Sequence, residues 1–526
     1  MVIAKLSVTD FLARDLADSS IAKSFTEEAL DAKLAMLQPA PFFHTAPHKH
    51  QKVAFLLAEF YKSYLLFLDP GLGKTKISLD VFVQHQRANR AKRLLVAVPN
   101  ISVVDSWEEQ TKLHAPQLHA IGLSSNTELT AKEKEDAFFE EGDVVIVTYA
   151  GLLRYACDKE PLDDSEDSAN KLVPSEKRIK QIAAAFQMLV LDETSKLRKH
   201  TSTLYKAIKK MSKLIPYRLG LTGTPFDKNV EDLWSQFFLI DHGATLGETL
   251  GLFRAAFFEE TRSYWGGFPE HKFDKKKTEL LTRVLHNRSL RYTQEECLDL
   301  PPIVYNRREV VLPETTKTYY NLMVDAIKEA KGDIRLIDNA YVRLRQLTAG
   351  YVSFVDGSAE SGRRETIFGV NPKLDALEGL LEELPPDRKL IIFNEYVKTG
   401  EIICAFLKKK KVKHTRLWGG STDHQGVIEE FKHNAGTRVL VANSQSGGIG
   451  VNLQCANYIV FYESPPDTIS RKQAIARCLR MGQQHHVFCY DLVVKNSIDA
   501  KILTALQAGI VFHDLLIDGK GSVDRL

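Results

Sequence analysis

The sequence has no apolar run that approaches the ~18–20 residues needed to span a bilayer. Its N-terminus shows no sustained apolar core after a basic start, which argues against a secretory signal. Cysteine is also scarce. The chain has only six cysteines, they lie far apart, and none forms a CxxC pair. This argues against a disulfide framework or a zinc ribbon. We therefore expect a cytoplasmic protein, or a nuclear one in a eukaryote, without a membrane partner.

A large excess of positive or negative charge is lacking as well. The formal net charge is only +3, from 70 basic and 67 acidic residues. A protein that coats DNA by bulk charge would be far more basic, so any nucleic acid must bind in a local groove. At 526 residues the chain is too long for one core, and its length suggests two to four domains.

Short, continuous apolar runs are present in two series. They cover residues 64–69, 94–98, 143–148, 188–193 and 217–222, and then 389–393, 414–417, 438–442, 458–462 and 487–494. Continuous apolarity is typical of parallel strands that are covered on both faces. Two such series predict two α/β sheets. The stretch between them, residues 243–371, is predicted to be mostly helical, with helical spacing over residues 316–331 and 338–350.

The segment FLDPGLGKTKISLDVF predicts a phosphate-binding loop between a strand and a helix. Gly71 and Gly73 let the backbone wrap around phosphates, with amide groups pointing inward at a helix N-terminus. Lys74 would neutralise the β- and γ-phosphates of ATP, and the Thr75 hydroxyl would hold Mg²⁺. The strict pattern has one more glycine, so the match is incomplete, and a plain turn is the alternative interpretation.

The segment MLVLDE ends an apolar strand in two carboxylates. Asp192 would bind Mg²⁺ through water, and Glu193 would polarise the attacking water. An acidic pair after a strand is more often a helix cap. Downstream of a phosphate-binding loop, the catalytic interpretation is favoured.

Two long segments, residues 218–241 and 446–483, strongly resemble the Swi/Snf-type ATPases of helicase superfamily two. Further matching segments follow the family's order: HKHQ (48–51), VPNISVVDSWEEQ (98–110), SLRYTQEECLDLPP (289–302), LRQLTAG (344–350), NPKLDALEGLL (371–381) and LIIFNEY (390–396). The resemblance spans about residues 47–503, and the compactness of the chain suggests a bacterial or phage-like member. It implies an α/β protein with two RecA-like lobes, each with a parallel sheet, and a helical insert.

The resemblance also implies a domain organisation. The expected parts are an N-terminal extension (1–46), a RecA-like ATP-binding lobe (47–242), a mostly helical insert and linker (243–370), a second RecA-like lobe (371–503) and a C-terminal tail (504–526). Both flanks are too short for an added globular domain. Chromatin-reading modules are therefore not expected, which makes nucleosome remodelling the less favoured function.

Site residues in the first lobe follow from the same resemblance. Gln51 would hydrogen-bond the adenine of ATP, and a helix-capping glutamine is the alternative interpretation. Thr222, Gly223 and Thr224 resemble the motif that couples the nucleotide to bound DNA. Where the family has Ala-His after the acidic pair, this chain has Thr194 and Ser195, and the missing histidine would weaken that coupling.

Site residues in the second lobe are implied as well. Gly448, Gly450 and Asn452 resemble a loop that meets both the DNA backbone and the nucleotide. Arg477 and Arg480 resemble arginine fingers that stabilise the γ-phosphate transition state, worth ~10³–10⁵ in rate. On a predicted helix they would share one face. Gln473 would be their partner in the nucleotide cleft.

The predicted function is an ATP- and Mg²⁺-dependent translocase on double-stranded or branched DNA, acting as a monomer in repair, recombination or replication-fork processing. Backbone contacts from residues 98–102, 148–149, 419–422 and 444–448 would make binding sequence-tolerant and salt-sensitive. Two alternatives stay open. One is a strand-separating helicase, and the other is a partner-dependent, nucleotide-gated DNA-binding module with weak ATPase activity.

Overall fold

The computed structural model describes residues 18–124, 129–161, 170–223, 225–226, 229–261, 270–298, 300–329, 334–355, 363–419, 421, 423–444, 452–480 and 482–507. The chain divides into two compact units, residues 1–298 and 299–526. No helix in these described ranges is both long and apolar enough to cross a bilayer.

The strands are β1 Ser63–Leu68, β2 Leu94–Val98, β3 Ala120–Leu123, β4 Val144–Thr148, β5 Cys157–Pro161, β6 Asn170–Pro174, β7 Met188–Asp192, β8 Tyr217–Leu221, β9 Phe258–Thr261, β10 Glu270–Phe273, β11 Ser289–Tyr292, β12 Ile303–Val310, β13 Tyr351–Val355, β14 Arg363–Ile367, β15 Lys389–Asn394, β16 His414–Leu417, β17 Val439–Asn443, β18 Ala456–Phe461 and β19 Val487–Val494.

The helices are α1 Ser19–Lys23, α2 Glu27–Ala35, α3 Lys49–Tyr61, α4 Lys74–Arg87, α5 Ile101–His114, α6 Ala131–Glu140, α7 Tyr149–Ala156, α8 Glu176–Ala185, α9 Thr203–Ser212, α10 Asp232–Asp241, α11 Leu250–Phe257, α12 Thr278–His286, α13 Gln294–Cys297, α14 Glu314–Glu329, α15 Ile334–Thr348, α16 Pro372–Glu383, α17 Val397–Lys409, α18 His424–His433, α19 Thr468–Ile475 and α20 Ile498–Gln507. Short 3₁₀ turns cover Thr194–Leu197 and Lys275–Lys277.

The first unit is built on a seven-stranded sheet in the order β11-β1-β8-β7-β2-β4-β3. All its strand pairs are parallel. Every residue of β1, β2 and β7 is buried, because helices cover both faces of the sheet. This two-sided burial explains the continuous apolar runs of the sequence.

The second unit contains a six-stranded sheet in the order β12-β19-β18-β15-β17-β16, again with only parallel pairs. Leu390 and Ile392 face one apolar core, whereas Ile391 and Phe393 face another on the opposite side of the sheet. Each unit is thus a parallel sheet between layers of helices, which confirms the predicted pair of RecA-like α/β lobes.

All ten predicted apolar runs form strands of these two sheets. Helices α14 and α15 confirm the two helical segments predicted between them. The stretch that was expected to be mostly helical also supplies strands, because β11 completes the edge of the first sheet and β12 that of the second. Three antiparallel hairpins, β5–β6, β9–β10 and β13–β14, lie outside both sheets.

Candidate active site

Three segments with predicted chemistry follow neighbouring strands of the first sheet. The glycine-rich loop follows β1, the acidic pair ends β7, and the segment that begins at Thr222 follows β8. In the sheet β8 lies between β1 and β7, and all three strands are parallel. Their carboxyl ends therefore meet at one edge, which is where open α/β sheets bind ligands.

The glycine-rich loop has a left-handed backbone at two of its glycines. Gly71 and Gly73 have φ values of 86° and 81°, and helix α4 begins directly after the second of them. A Cβ atom on Gly73 would lie 2.3 Å from Nε2 of Gln51. The left-handed backbone therefore favours glycine at position 73, and any side chain there would displace the Gln51 amide.

Lys74 and Thr75 are the first two residues of helix α4. The ammonium group of Lys74 donates to the carbonyl of Leu68, at 2.8 Å, at the end of β1. Its charge also lowers the pKa of both Asp192 and Glu193 against the effect of burial. Lys74 is thus held between the glycine-rich loop and the acidic pair.

Gln51 lies under the glycine-rich loop and is only 4% exposed. Its Oε1 accepts from the backbone N–H of His48, at 3.1 Å, as part of a capping box at the start of helix α3. Its Nε2 donates to the carbonyl of Leu72 at 3.3 Å. The helix-capping alternative thus describes the contacts of Gln51 in the structure, and recognition of adenine stays a prediction.

Asp192 ends β7 and is held by two aromatic side chains. The indole N–H of Trp107 donates to Oδ2 of Asp192 at 2.8 Å, and the Tyr149 hydroxyl donates to the Asp192 carbonyl at 2.7 Å. Burial raises the pKa of the Asp192 carboxyl, while the Trp107 hydrogen bond and the Lys74 charge lower it. Trp107 lies in the segment 98–110, which resembles the family, but no local sequence pattern assigns Trp107 or Tyr149 to the site.

Glu193 has a left-handed backbone with φ 55° and is 4% exposed. Its Oε2 accepts from the Thr222 hydroxyl at 3.1 Å and from the Ser195 hydroxyl at 3.4 Å. Burial raises the pKa of the Glu193 carboxyl, the Lys74 charge lowers it, and the Asp192 charge raises it again. A carboxylate with a raised pKa is suited to accept a proton from water.

The donor set at this edge fits a magnesium nucleotide. The structure places the hydroxyl-bearing Thr75 at the start of α4 and the Asp192 carboxylate at the end of β7. No group of three or more His, Cys, Asp or Glu side chains that could hold a metal occurs among the described residues.

Arg291 connects the loops that follow β1 and β8, and sequence analysis did not identify it. Its guanidinium donates to the carbonyls of Phe67 and Gly223, both at 2.9 Å, and pairs with Asp69 at 2.6 Å. Gly223 is therefore held against the glycine-rich loop. Thr224, the last residue of the predicted coupling motif, lies outside the described residues.

In the second unit Arg477 is 3% exposed and donates through Nη2 to the carbonyl of Ser444, at 3.0 Å. Burial lowers the pKa of Arg477 to about 10, with the Arg480 charge as a second cause. Ser444 also donates to the carboxyl of Glu395, whose pKa burial raises to about 7. Arg477 is thus fixed against the residue that follows β17.

The prediction that Arg477 and Arg480 share a helical face is wrong. Helix α19 ends at Ile475, and the chain continues in tight turns in which Cys478 N–H donates to the Ile475 carbonyl. The carbonyl of Arg477 accepts from Leu453 N–H at 2.9 Å instead of continuing a helix. Arg480 donates through Nε to the carbonyl of Ala476, at 2.9 Å. The two side chains are therefore positioned by turns.

The other predicted residues of the second unit are only partly described. Gln473 is half-buried in helix α19. Asn452 is exposed, and its Oδ1 accepts from Gln454 N–H at 3.2 Å. Gly448 and Gly450 lie outside the described residues. The structure thus brings Lys74, Asp192, Glu193 and Thr222 together in the first unit.

Two family models match the chain in its two halves. The model described as "SNF2-related domain" matches residues 48–350, and the model described as "Helicase conserved C-terminal domain" matches residues 372–482. The first of these models covers more than half of the chain.

Relatives and a solved structure are also similar to this chain. A Bacillus subtilis protein named as a candidate ATP-dependent helicase/translocase is 23% identical over 87% of this chain and 47% of its own length. The ISWI chromatin-remodeling complex ATPase of Arabidopsis thaliana is 23% identical over 85% of this chain and 40% of its own length. The chain thus spans less than half the length of these relatives. The SWI2/SNF2 ATPase core of Sulfolobus solfataricus in complex with double-stranded DNA is 22% identical, covers 91% of this chain and 94% of its own, and has a TM-score of 0.40.

Proposed function

The chain belongs to the SNF2-related family, and on that premise we propose that it is a DNA-dependent ATPase that translocates along double-stranded DNA. The observation that carries the proposal is the meeting of Lys74, Asp192, Glu193 and Thr222 at the carboxyl edge of the first sheet. A basic group for phosphates, two carboxylates and a hydroxyl that contacts one of them are the parts that nucleotide hydrolysis needs.

ATP would bind at the start of helix α4, where the backbone of Gly71 and Gly73 can wrap around its phosphates. Lys74 would exchange the Leu68 carbonyl for a phosphate oxygen. Thr75 and Asp192 would hold Mg²⁺, which would neutralise charge on the β- and γ-phosphates. Glu193 would orient the attacking water and take its proton, as its raised pKa favours.

The second unit would supply charge to the transferred phosphate. Arg477 and Arg480 would act as arginine fingers, with Gln473, Gly448 and Gly450 near the nucleotide. Because the phosphate-binding residues and the arginines belong to different units, hydrolysis would require the units to close around ATP. Repeated closing would advance the protein along DNA, with Thr222, Gly223, Thr224 and Asn452 linking nucleotide to DNA.

Branched DNA and protein–DNA complexes are the substrates that we propose within this class. The relatives include proteins named as ATP-dependent helicases, as a helicase/translocase and as a chromatin-remodeling complex ATPase. With a net charge of only +3, the chain would bind DNA in a local groove, and contacts to the DNA backbone there would be sequence-tolerant.

Steady-state ATP hydrolysis tests the proposal. The rate is measured without DNA and with single strands, linear duplex and a four-way junction, and the Lys74→Ala variant serves as the blank. We expect strong stimulation by duplex and at least equal stimulation by the junction, falling steeply as salt rises. A rate equal to the blank with every DNA would refute the ATPase assignment.

The choice of DNA separates the alternatives in the same experiment. Stimulation by single strands alone would favour a strand-separating helicase over a duplex translocase. ATP hydrolysis that no DNA stimulates would favour the nucleotide-gated module that depends on a partner. Equal rates with linear duplex and junction would retain the translocase and remove the preference for branched DNA.

A further inference from the structure

A buried polar pair lies directly behind the acidic turn. The Thr194 hydroxyl donates to Oε1 of Gln236 at 2.7 Å, and neither residue is exposed to solvent. The Gln236 amide then donates through Nε2 to the carbonyl of Pro225 and, at 3.1 Å, to that of Asp232. Two hydrogen bonds in series, Thr194 to Gln236 and Gln236 to Pro225, thus connect the residue after Glu193 to the loop that follows β8.

The surroundings of this pair are apolar and tightly packed. Leu233 and Phe237, the helical neighbours of Gln236, belong to the buried core of the first unit. A Cβ atom on Gly220 would lie 3.0 Å from Cγ2 of Thr194. Burying a hydroxyl and a primary amide in such a place costs free energy unless both are hydrogen-bonded. Because two apolar side chains could fill this space without that cost, the polar pair points to a positional role.

The pair complements the direct contact between Thr222 and Glu193. On one side of position 224, Thr222 donates to the Glu193 carboxylate at 3.1 Å. On the other side, Pro225 is joined through Gln236 to Thr194. Two successive residues of the acidic turn are therefore tied to the loop at both sides of that position.

We propose that Thr194 and Gln236 form a bridge that couples the acidic turn to the loop after β8, with Gln236 as a positioning residue for that loop. The bridge would transmit the position of the loop to Glu193. It would use Thr194, which stands with Ser195 where the family has Ala-His. This inference rests on the proposed DNA-stimulated ATPase activity.

Matched variants test the bridge in the full chain. Thr194→Val keeps the shape of the side chain and removes the donor, Gln236→Met keeps its length and removes the amide, and Thr194→Ser keeps the hydroxyl. We expect Thr194→Val and Gln236→Met to lower duplex-stimulated ATP turnover by about tenfold, as the loss of one buried hydrogen bond allows. Basal turnover and the KM for ATP should stay within about twofold, and Thr194→Ser should match the wild type.

The double variant Thr194→Val/Gln236→Met should be no worse than the poorer single variant, because both changes break one pathway. A purely structural role would lower the thermal midpoint and reduce basal and stimulated rates together, which would overturn the proposal. Wild-type stimulation in all variants would also overturn it, while leaving the proposed function intact.

Hydrogen exchange provides a readout that does not depend on DNA stimulation. The bridge predicts faster amide exchange over residues 222–226 in Thr194→Val and Gln236→Met than in the wild type and Thr194→Ser. Unchanged exchange there would show that the pair does not hold the loop. A wild type that DNA does not stimulate would instead refute the proposed function, whatever the exchange shows.

Discussion

Glu193 combines a buried carboxylate with a backbone that few non-glycine residues adopt. Its φ of 55° lies in the left-handed region, which costs about 1–2 kcal/mol for a residue with a Cβ atom. The turn directs the carboxylate toward the Thr222 hydroxyl at 3.1 Å. The strained backbone is therefore part of what positions the group that we assign as the base.

This backbone predicts an unusual order of stability at position 193. Glu193→Gly and Glu193→Ala both remove the carboxylate, but only alanine keeps the left-handed strain. We expect the glycine variant to be more stable than the alanine variant by about 1 kcal/mol. Chemical denaturation of the two variants measures the difference, and ATP turnover should be lost in both.

Ser195 provides the control, because it follows closely and does not have a positive φ. There, the alanine variant should be the more stable of the two, as in ordinary backbone. If alanine were also the more stable at position 193, the backbone strain inferred at Glu193 would be wrong.

The sequence identifies Lys74, Asp192 and Glu193 in the first unit, because each belongs to a local motif. Lys74 follows paired glycines, and Asp192 ends an apolar run. Trp107 and Arg291 could not be assigned in this way, since they contact Asp192 and Asp69 across 85 and 222 residues of chain. Only the strand order of the sheet brings such residues to one place.

At the scale of secondary-structure elements, both sheets use an arginine directly before a central strand. Arg93 precedes β2 and donates to the carbonyls of residues 138, 139, 141 and 142, where helix α6 ends. Arg438 precedes β17 and donates to the carbonyls of residues 381, 384, 385 and 388, where helix α16 ends. Each guanidinium thus satisfies the last carbonyls of a helix and joins that helix to the sheet.

Arg438→Lys tests the contribution of the Arg438 hydrogen bonds to stability, because lysine keeps the charge but loses the planar set of donors. We expect the free energy of unfolding to fall by about 1–3 kcal/mol, since several carbonyls lose their partner together. Denaturant unfolding gives the loss, and faster amide exchange near the end of α16 gives its location. Arg364→Lys, at an exposed position, should stay within about 0.5 kcal/mol of the wild type.

All central strands of the two sheets were predicted, as was the edge strand β16, whereas three other edge strands were not. β2 and β15 are covered on both faces and read as continuous apolar runs. The missed strands β3, β11 and β12 all lie at sheet edges. Most of β12 is exposed or half-exposed, and its sequence IVYNRREV has no continuous apolar run. A strand that is covered on both faces has a continuous apolar run, and none of the three missed strands has a long one.

At the scale of the whole molecule, the proposed chemistry is divided between two units that each have their own cores. Lys74 and Glu193 belong to the first unit, and Arg477 belongs to the second. Among the described residues, Nη1 of Arg477 is buried without a hydrogen-bond partner. A phosphate oxygen that reached this nitrogen would satisfy it, which is the interaction expected of an arginine finger.

This division predicts that binding and hydrolysis of ATP can be separated by mutation. Arg477→Met keeps a long unbranched side chain and removes the guanidinium, whose Cζ lies 5.7 Å from the centre of the Phe393 ring. We expect it to bind ATP within about threefold of the wild type and to lower single-turnover hydrolysis at saturating ATP by about 10³-fold. Lys74→Ala should lose both, and Arg364→Met should change neither. Titration with a fluorescent ATP analogue and quenched single-turnover assays measure the two quantities. Weakened binding with unchanged hydrolysis in Arg477→Met would instead make Arg477 a ground-state ligand of the nucleotide, because a finger acts on the transition state alone.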